Sequence, residues 1–208
     1  MIKFRLVIFI LAIILFIFCT GKSNKSVKEY NLLEGSEVPV KYSKTNKIIK
    51  LQGLEIDSTT VNYTFTMYKI KSTTDRNCNG STIEIVNIKN QKRVKIPTSI
   101  NCTNFQGIYN NIAIFDDGTG IARGTTLFDL KNGKIIASLG TNGNTKISEN
   151  KIHMDILDIP KKHLVGKKRP YCGDSIACDG CGEIAEEIYF DCKTHKIIYT
   201  GKLKCAYQ

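Results

Sequence analysis

The stretch CDGCGEIAEEIYFDCKTH, residues 178–195, separates Cys178 from Cys181 by two residues, and Cys192 from His195 by two more. Three thiolates and one imidazole at such intervals are the donor set of a tetrahedral structural zinc site. The same residues have a second chemistry. In an oxidising compartment cysteines pair with one another and are not held as thiolates for a metal. Where the chain resides, and which elements carry these side chains, decides between the two.

The N-terminus points to export. MIKFR supplies Lys3 and Arg5, and a charge-free run follows from Leu6 to Cys19. That run is shorter than the roughly 20 residues a membrane-spanning helix needs. It fits a signal-peptide core, which takes about 7–15. Cys19 closes the run and leads into the polar, lysine-rich TGKSNKSVK. This layout resembles that of bacterial lipoproteins, and the resemblance implies a lipidated Cys19 as the first mature residue. Ordinary cleavage after Gly21, at the small-x-small triplet Cys19-Thr20-Gly21, and an uncleaved anchor are the alternatives. All three place the remainder outside the cytosol. The expected organisation is a signal peptide over 1–19, a polar tether over 20–37 and a single exported β-domain over 38–208.

Eight cysteines are present, and setting Cys19 aside leaves an odd number. Something is therefore unpaired or bound otherwise. Cys78 and Cys102 stand apart from the rest and are expected to pair. The pairing among Cys172, Cys178, Cys181, Cys192 and Cys205 stays open. RPYCGDSIACDGCGEIAEE holds few large apolar residues, so cross-links are expected to brace this irregular segment. In the zinc alternative, Cys178, Cys181, Cys192 and His195 bind the metal, and Cys172 pairs with Cys205 to use every cysteine. CDGCG resembles a zinc-knuckle turn. A thioredoxin-like role for Cys178 and Cys181 lacks the βαβ context it needs.

The elements that carry these residues read as strands. From Val38 onward short alternating runs are broken by Asn, Gly, Asp and Lys, with no sustained helical period. IVNIKNQKRVKI (85–96), LFDLKNGKIIAS (127–138) and YFDCKTHKIIYT (189–200) share one pattern. Each reads as a hairpin: an Asx residue closes the first strand, and a polar tip, whose shared slot is held by Gln91, Gly133 and His195, carries Gly, Asn or His where a left-handed backbone is wanted. In this alignment Cys192 falls on an apolar position and His195 on a turn position, so hairpin geometry accounts for half of the zinc pattern. KTNKII (44–49) is a partial fourth copy. The first two intervals approach the about 40–45 residues of a propeller blade. The fold class is therefore all-β, an antiparallel hairpin array forming a sandwich or a small propeller-like body.

The formal net charge is +11, which favours anionic contacts through long-range attraction. The densest basic cluster is KKHLVGKKRP, with Lys161, Lys162, His163, Lys167, Lys168 and Arg169. It reads as a solvated loop, with anion binding as the sharper reading. No aromatic residues interleave with it, so no nucleic-acid partner is expected. GDS at 173–175 resembles the nucleophile segment of trypsin-like proteases, but Ile176 and Ala177 stand where that family has glycines for its oxyanion hole. FDDGTGIARG (115–124) offers carboxylate and carbonyl oxygens of Asp116, Asp117, Gly118, Thr119 and Gly120 to a cation, with a flexible strand connection as the plainer reading. Glu183, Glu186 and Glu187 read as surface carboxylates. No cofactor is expected. The leading expectation is a non-enzymatic envelope domain, attached to the membrane through its N-terminus, that binds a protein or an anionic envelope component. A zinc-stabilised module and an envelope hydrolase built on the Asp116–Asp117 loop or the acidic end are the alternatives.

Overall fold

The computed structural model describes residues 27–51, 54–75, 81–96, 103–119, 122–172 and 183–206. The chain forms two antiparallel sheets with a half-barrel curl. The first sheet is a meander of β1 (Lys41–Leu51), β2 (Leu54–Thr64), β3 (Tyr68–Asp75), β4 (Thr82–Asn87) and β5 (Arg93–Ile96). The second runs through β6 (Thr103–Tyr109), β7 (Ile112–Thr119), β8 (Ala122–Asp129), β9 (Lys134–Thr141), β11 (Lys151–Ile156), β12 (Glu183–Asp191) and β13 (Lys196–Ala206), with β10 (Lys146–Ser148) paired to β11. Of the two arrangements left open by the pattern, the chain takes two sheets.

Side-chain alternation explains how the sheets stack. On β3, Tyr68, Ile70 and Ser72 are buried while Lys69 and Lys71 face water, as expected for a sheet covered on one face. β7 differs. Ala113 and Phe115 enter a core shared with the first sheet. Ile112 and Ile114 point the other way, into a second core with β11 and β12. A strand buried on both faces needs no polar alternation, which is why Ile112–Phe115 is an unbroken apolar run. The first core is aromatic where the sheets meet: the Phe105 ring lies 4.9 Å from Tyr63 and 5.7 Å from Phe115.

The segment expected to be tether joins this core. A short 3-10 turn spans Val27–Tyr30, and Tyr30 and Leu32 are buried. The Leu33 N–H donates to Gln106 O at 2.8 Å and the Glu37 N–H to Ile108 O at 2.8 Å. Gly107 permits the approach: its φ is +147°, and a Cβ there would collide with Ser36 Oγ. The folded part thus begins before residue 38, because Tyr30 and Leu32 gain more by burial than by remaining in water.

The three hairpin turns form as their shared pattern predicts. Asn87 Oδ1 accepts the N–H groups of Lys89 and Asn90 at 2.9 and 3.3 Å. Asp129 Oδ1 accepts those of Lys131 and Asn132 at 2.9 and 3.0 Å. Asp191 Oδ1 accepts those of Lys193 and Thr194 at 2.8 and 3.0 Å. Gln91, Gly133 and His195 have φ of 57°, 69° and 55°. The fourth copy does not form a turn: residues 44–49 lie inside β1, paired in register with β2. The repeat is one of turns and not of blades, since its hairpins sit at the edge of the first sheet and at both the middle and the edge of the second.

Candidate functional site

Cys192 and His195 lie on the β12–β13 turn and diverge. Cys192 is buried in the second core and is not in a disulfide. Burial, and secondarily Asp191, push its thiol up to about 11. His195 is at the exposed tip, its Nδ1 3.9 Å from Asp129 Oδ2 on the neighbouring turn. Cys19, Cys78, Cys102, Cys178 and Cys181 fall outside the described residues. Among the described residues no three His, Cys, Asp or Glu side chains are grouped to hold a metal. Cys172 and Cys205 form a disulfide with a Cα–Cα distance of 5.3 Å, tying the segment after β11 to the last strand.

Asp116 and Asp117 do not share a cation-binding loop. They are consecutive residues of β7, whose side chains alternate between faces. Asp117 Oδ2 accepts the Thr126 hydroxyl at 2.6 Å. Asp116 Oδ2 lies 3.7 Å from Arg123 Nη2, and burial pushes the carboxyl upward against the pull of that guanidinium.

The acidic end is also divided by strand geometry. Glu183 is exposed, Glu187 pairs with Lys202 at 3.1 Å, and Glu186 is fully buried. The expectation that all three are surface groups fails at Glu186. A bulge between Glu186 and Ile188 breaks the register with β13. Gly201, at φ +74°, turns its N–H to Glu186 Oε1 at 2.9 Å. Glu186 Oε2 meets His163 Nδ1 at 3.1 Å. His163 belongs to the helical turn α1 (Lys161–Leu164) and stands edge-on to Tyr199 at 4.3 Å. Lys167 Nζ donates to Gly201 O at 2.9 Å. The basic cluster is therefore pinned to β12 and β13 at two of its residues. Glu186→Ala should destabilise the protein by about 2–3 kcal/mol, since the part-buried Gly201 N–H and the His163 ring both lose their partner. Glu186→Gln, which keeps an acceptor, should cost less; urea unfolding of the two variants tests the ordering.

A Ser–His contact lies on the outer face of the second sheet. Ser148 Oγ is 2.9 Å from His153 Nε2, within a cleft of about 490 Å³ that Asp155 and Glu187 also line. Both carboxylates are bound elsewhere, Asp155 to Lys204 at 2.6 Å and Glu187 to Lys202. The pair thus belongs to a cross-strand polar ladder, without the carboxylate that would orient the imidazole of a hydrolytic triad.

The larger concavity, about 690 Å³, opens between the first sheet and β6. Tyr30, Tyr42, Tyr63 and Phe105 supply its aromatic wall, and Lys44, Asn104 and Gln106 its polar rim. The Tyr42 ring lies 5.2 Å from Tyr30 and 5.4 Å from Tyr63. Burial, then the neighbouring Tyr42, push the Tyr63 hydroxyl up to about 12. Aromatic faces beside a few convergent polar groups suit a partly polar ligand. These tyrosines come from the presumed tether, β1 and β2, and no sequence motif joins them. Alternation around Tyr63 and Phe65 was the available signal. No family model, curated protein or solved structure matches the chain.

Proposed function

We propose that the protein is an exported, membrane-tethered β-domain of the cell envelope that works by binding and not by catalysis, with the inter-sheet cleft as its ligand site. The observation that carries the reading is the Cys172–Cys205 bridge. Structural disulfides persist in oxidising compartments and are rare in the cytosol. The charge-free run ending at Cys19 supports the same location from the sequence. Lipidation at Cys19 is the tether in this reading. The cleft supports the binding role, with its tyrosine wall and amide rim.

Fractionation of the producing cells, with intact-mass measurement of the native product, tests it. The expected product is membrane-associated, begins at an acylated Cys19 and carries Cys172 and Cys205 oxidised. Recovery from the cytosol, unprocessed and with both of these cysteines reduced, overturns the reading.

A further inference from the structure

The three repeated turns, far apart in the chain, meet at one end of the molecule. Lys92 Nζ lies 3.6 Å from where a Cβ on Gly133 would stand, and residues of the first two turns line one small cleft. His195 of the third turn reaches Asp129 of the second. The other tight turns join the same layer. The Ile88 N–H donates to Met67 O, the Leu130 N–H to Asn111 O and the Cys192 N–H to Asn150 O, each at 2.9 Å.

Each copy of the pattern carries lysines at the same two turn positions: Lys89 and Lys92, Lys131 and Lys134, Lys193 and Lys196. All six are exposed. None forms an ion pair among the described residues. The nearest acids, Asp129 and Asp191, accept turn N–H groups and keep their negative charge, and with the exposed Glu37 and Glu149 they set four carboxylates against the six lysines. Exposed apolar side chains lie among the lysines. Val38, Val40, Met67 and Ile135 are 51, 66, 44 and 44% accessible. Val40 is placed here by its N–H bond to Thr64 O at 2.7 Å.

We infer that this end is a docking surface for an anionic lipid bilayer. Lysines intermixed with exposed apolar side chains fit the headgroup region, where the cations meet lipid phosphates and the apolar groups leave water. A nucleic acid is less well matched, because the end offers lysines without an exposed aromatic platform. The inference rests on the membrane-tethered reading and adds an orientation to it: the domain would sit on the surface turns-down.

The test uses the full-length chain incorporated into vesicles of phosphatidylcholine alone, or of phosphatidylcholine with phosphatidylglycerol. Lysines are acetylated and quantified residue by residue by mass spectrometry. Labelling of the six turn lysines should fall severalfold only with the anionic lipid and recover at high salt. Lys47 and Lys71, exposed on strands, should be unaffected. The triple variant Lys89→Gln, Lys131→Gln, Lys193→Gln alters residues that contribute only backbone N–H groups to the turns. It should weaken the association by about fivefold per lysine removed, restoring labelling at Lys92, Lys134 and Lys196. Equal labelling in both vesicles overturns the inference, as does protection by soluble polyphosphate or RNA but not by vesicles. A cytosolic location would instead overturn the tether, and the vesicle experiment does not depend on it.

Discussion

Replacing Phe115 with alanine should destabilise the protein by about 3–5 kcal/mol, the cost of removing a fully buried aromatic side chain from a packed core. Phe115 has no exposed surface and packs against Phe105 in the core between the sheets. Its strand is buried on both faces, so neighbouring side chains cannot collapse into the gap from a solvent side. A domain of ordinary stability has about 5–15 kcal/mol in total, so the variant should be close to unfolding at moderate temperature. Urea unfolding checks this. Because β7 contributes Ile112 and Ile114 to the second core, both sheets should lose structure in one transition at a lower midpoint. A variant that melts only the first sheet would show that β7 does not couple the two cores. Ile114→Val, on the opposite face of the same strand, should cost only about 0.5–1.5 kcal/mol.

Cutting the Cys172–Cys205 bridge should cost about 3–4 kcal/mol, from the conformational freedom returned to the unfolded chain by opening a loop of this size. Cys205→Ser gives the opened state and denaturant unfolding gives the difference; reduction of the wild-type protein opens this bridge together with any formed by the other cysteines. The loss should be largely thermodynamic. Glu186 and Lys167 still hold the cluster after β11 against the last strand, so the Cys205→Ser protein should keep its sheets in the absence of denaturant. Immediate unfolding of this variant would mean that these polar contacts contribute little without the bridge. If reduction leaves the midpoint unchanged, the bridge is not part of the native protein in solution, and the strongest support for export is lost with it.

The turns and strands were legible because their causes are local. An Asx side chain bonds to the N–H groups two and three residues on, and a lysine or isoleucine far away does not alter that geometry. Hence the hairpins at 85–96, 127–138 and 189–200 were recognisable, and so was the turn position of His195. The failed copy at 44–49 marks the limit of that reasoning, since pairing with β2 along the whole of β1 overrode the local turn signal. Asp116 and Asp117 were misread for want of one fact, that they lie within a strand. Glu186 was misread because its burial depends on a bulge and on a histidine 23 residues earlier in the chain.

From the sequence alone followed the all-β class, the turn chemistry and the cysteine-bearing C-terminal region, each written in short-range pattern or composition. Only the tertiary structure decided that the hairpins make two sheets, that Cys192 faces a core while His195 faces a neighbouring turn, that tyrosines from three segments wall one cleft, and that six turn lysines share one end. Those outcomes depend on which apolar faces meet across long stretches of chain, and burial of those faces, unlike turn geometry, is a property of the whole fold.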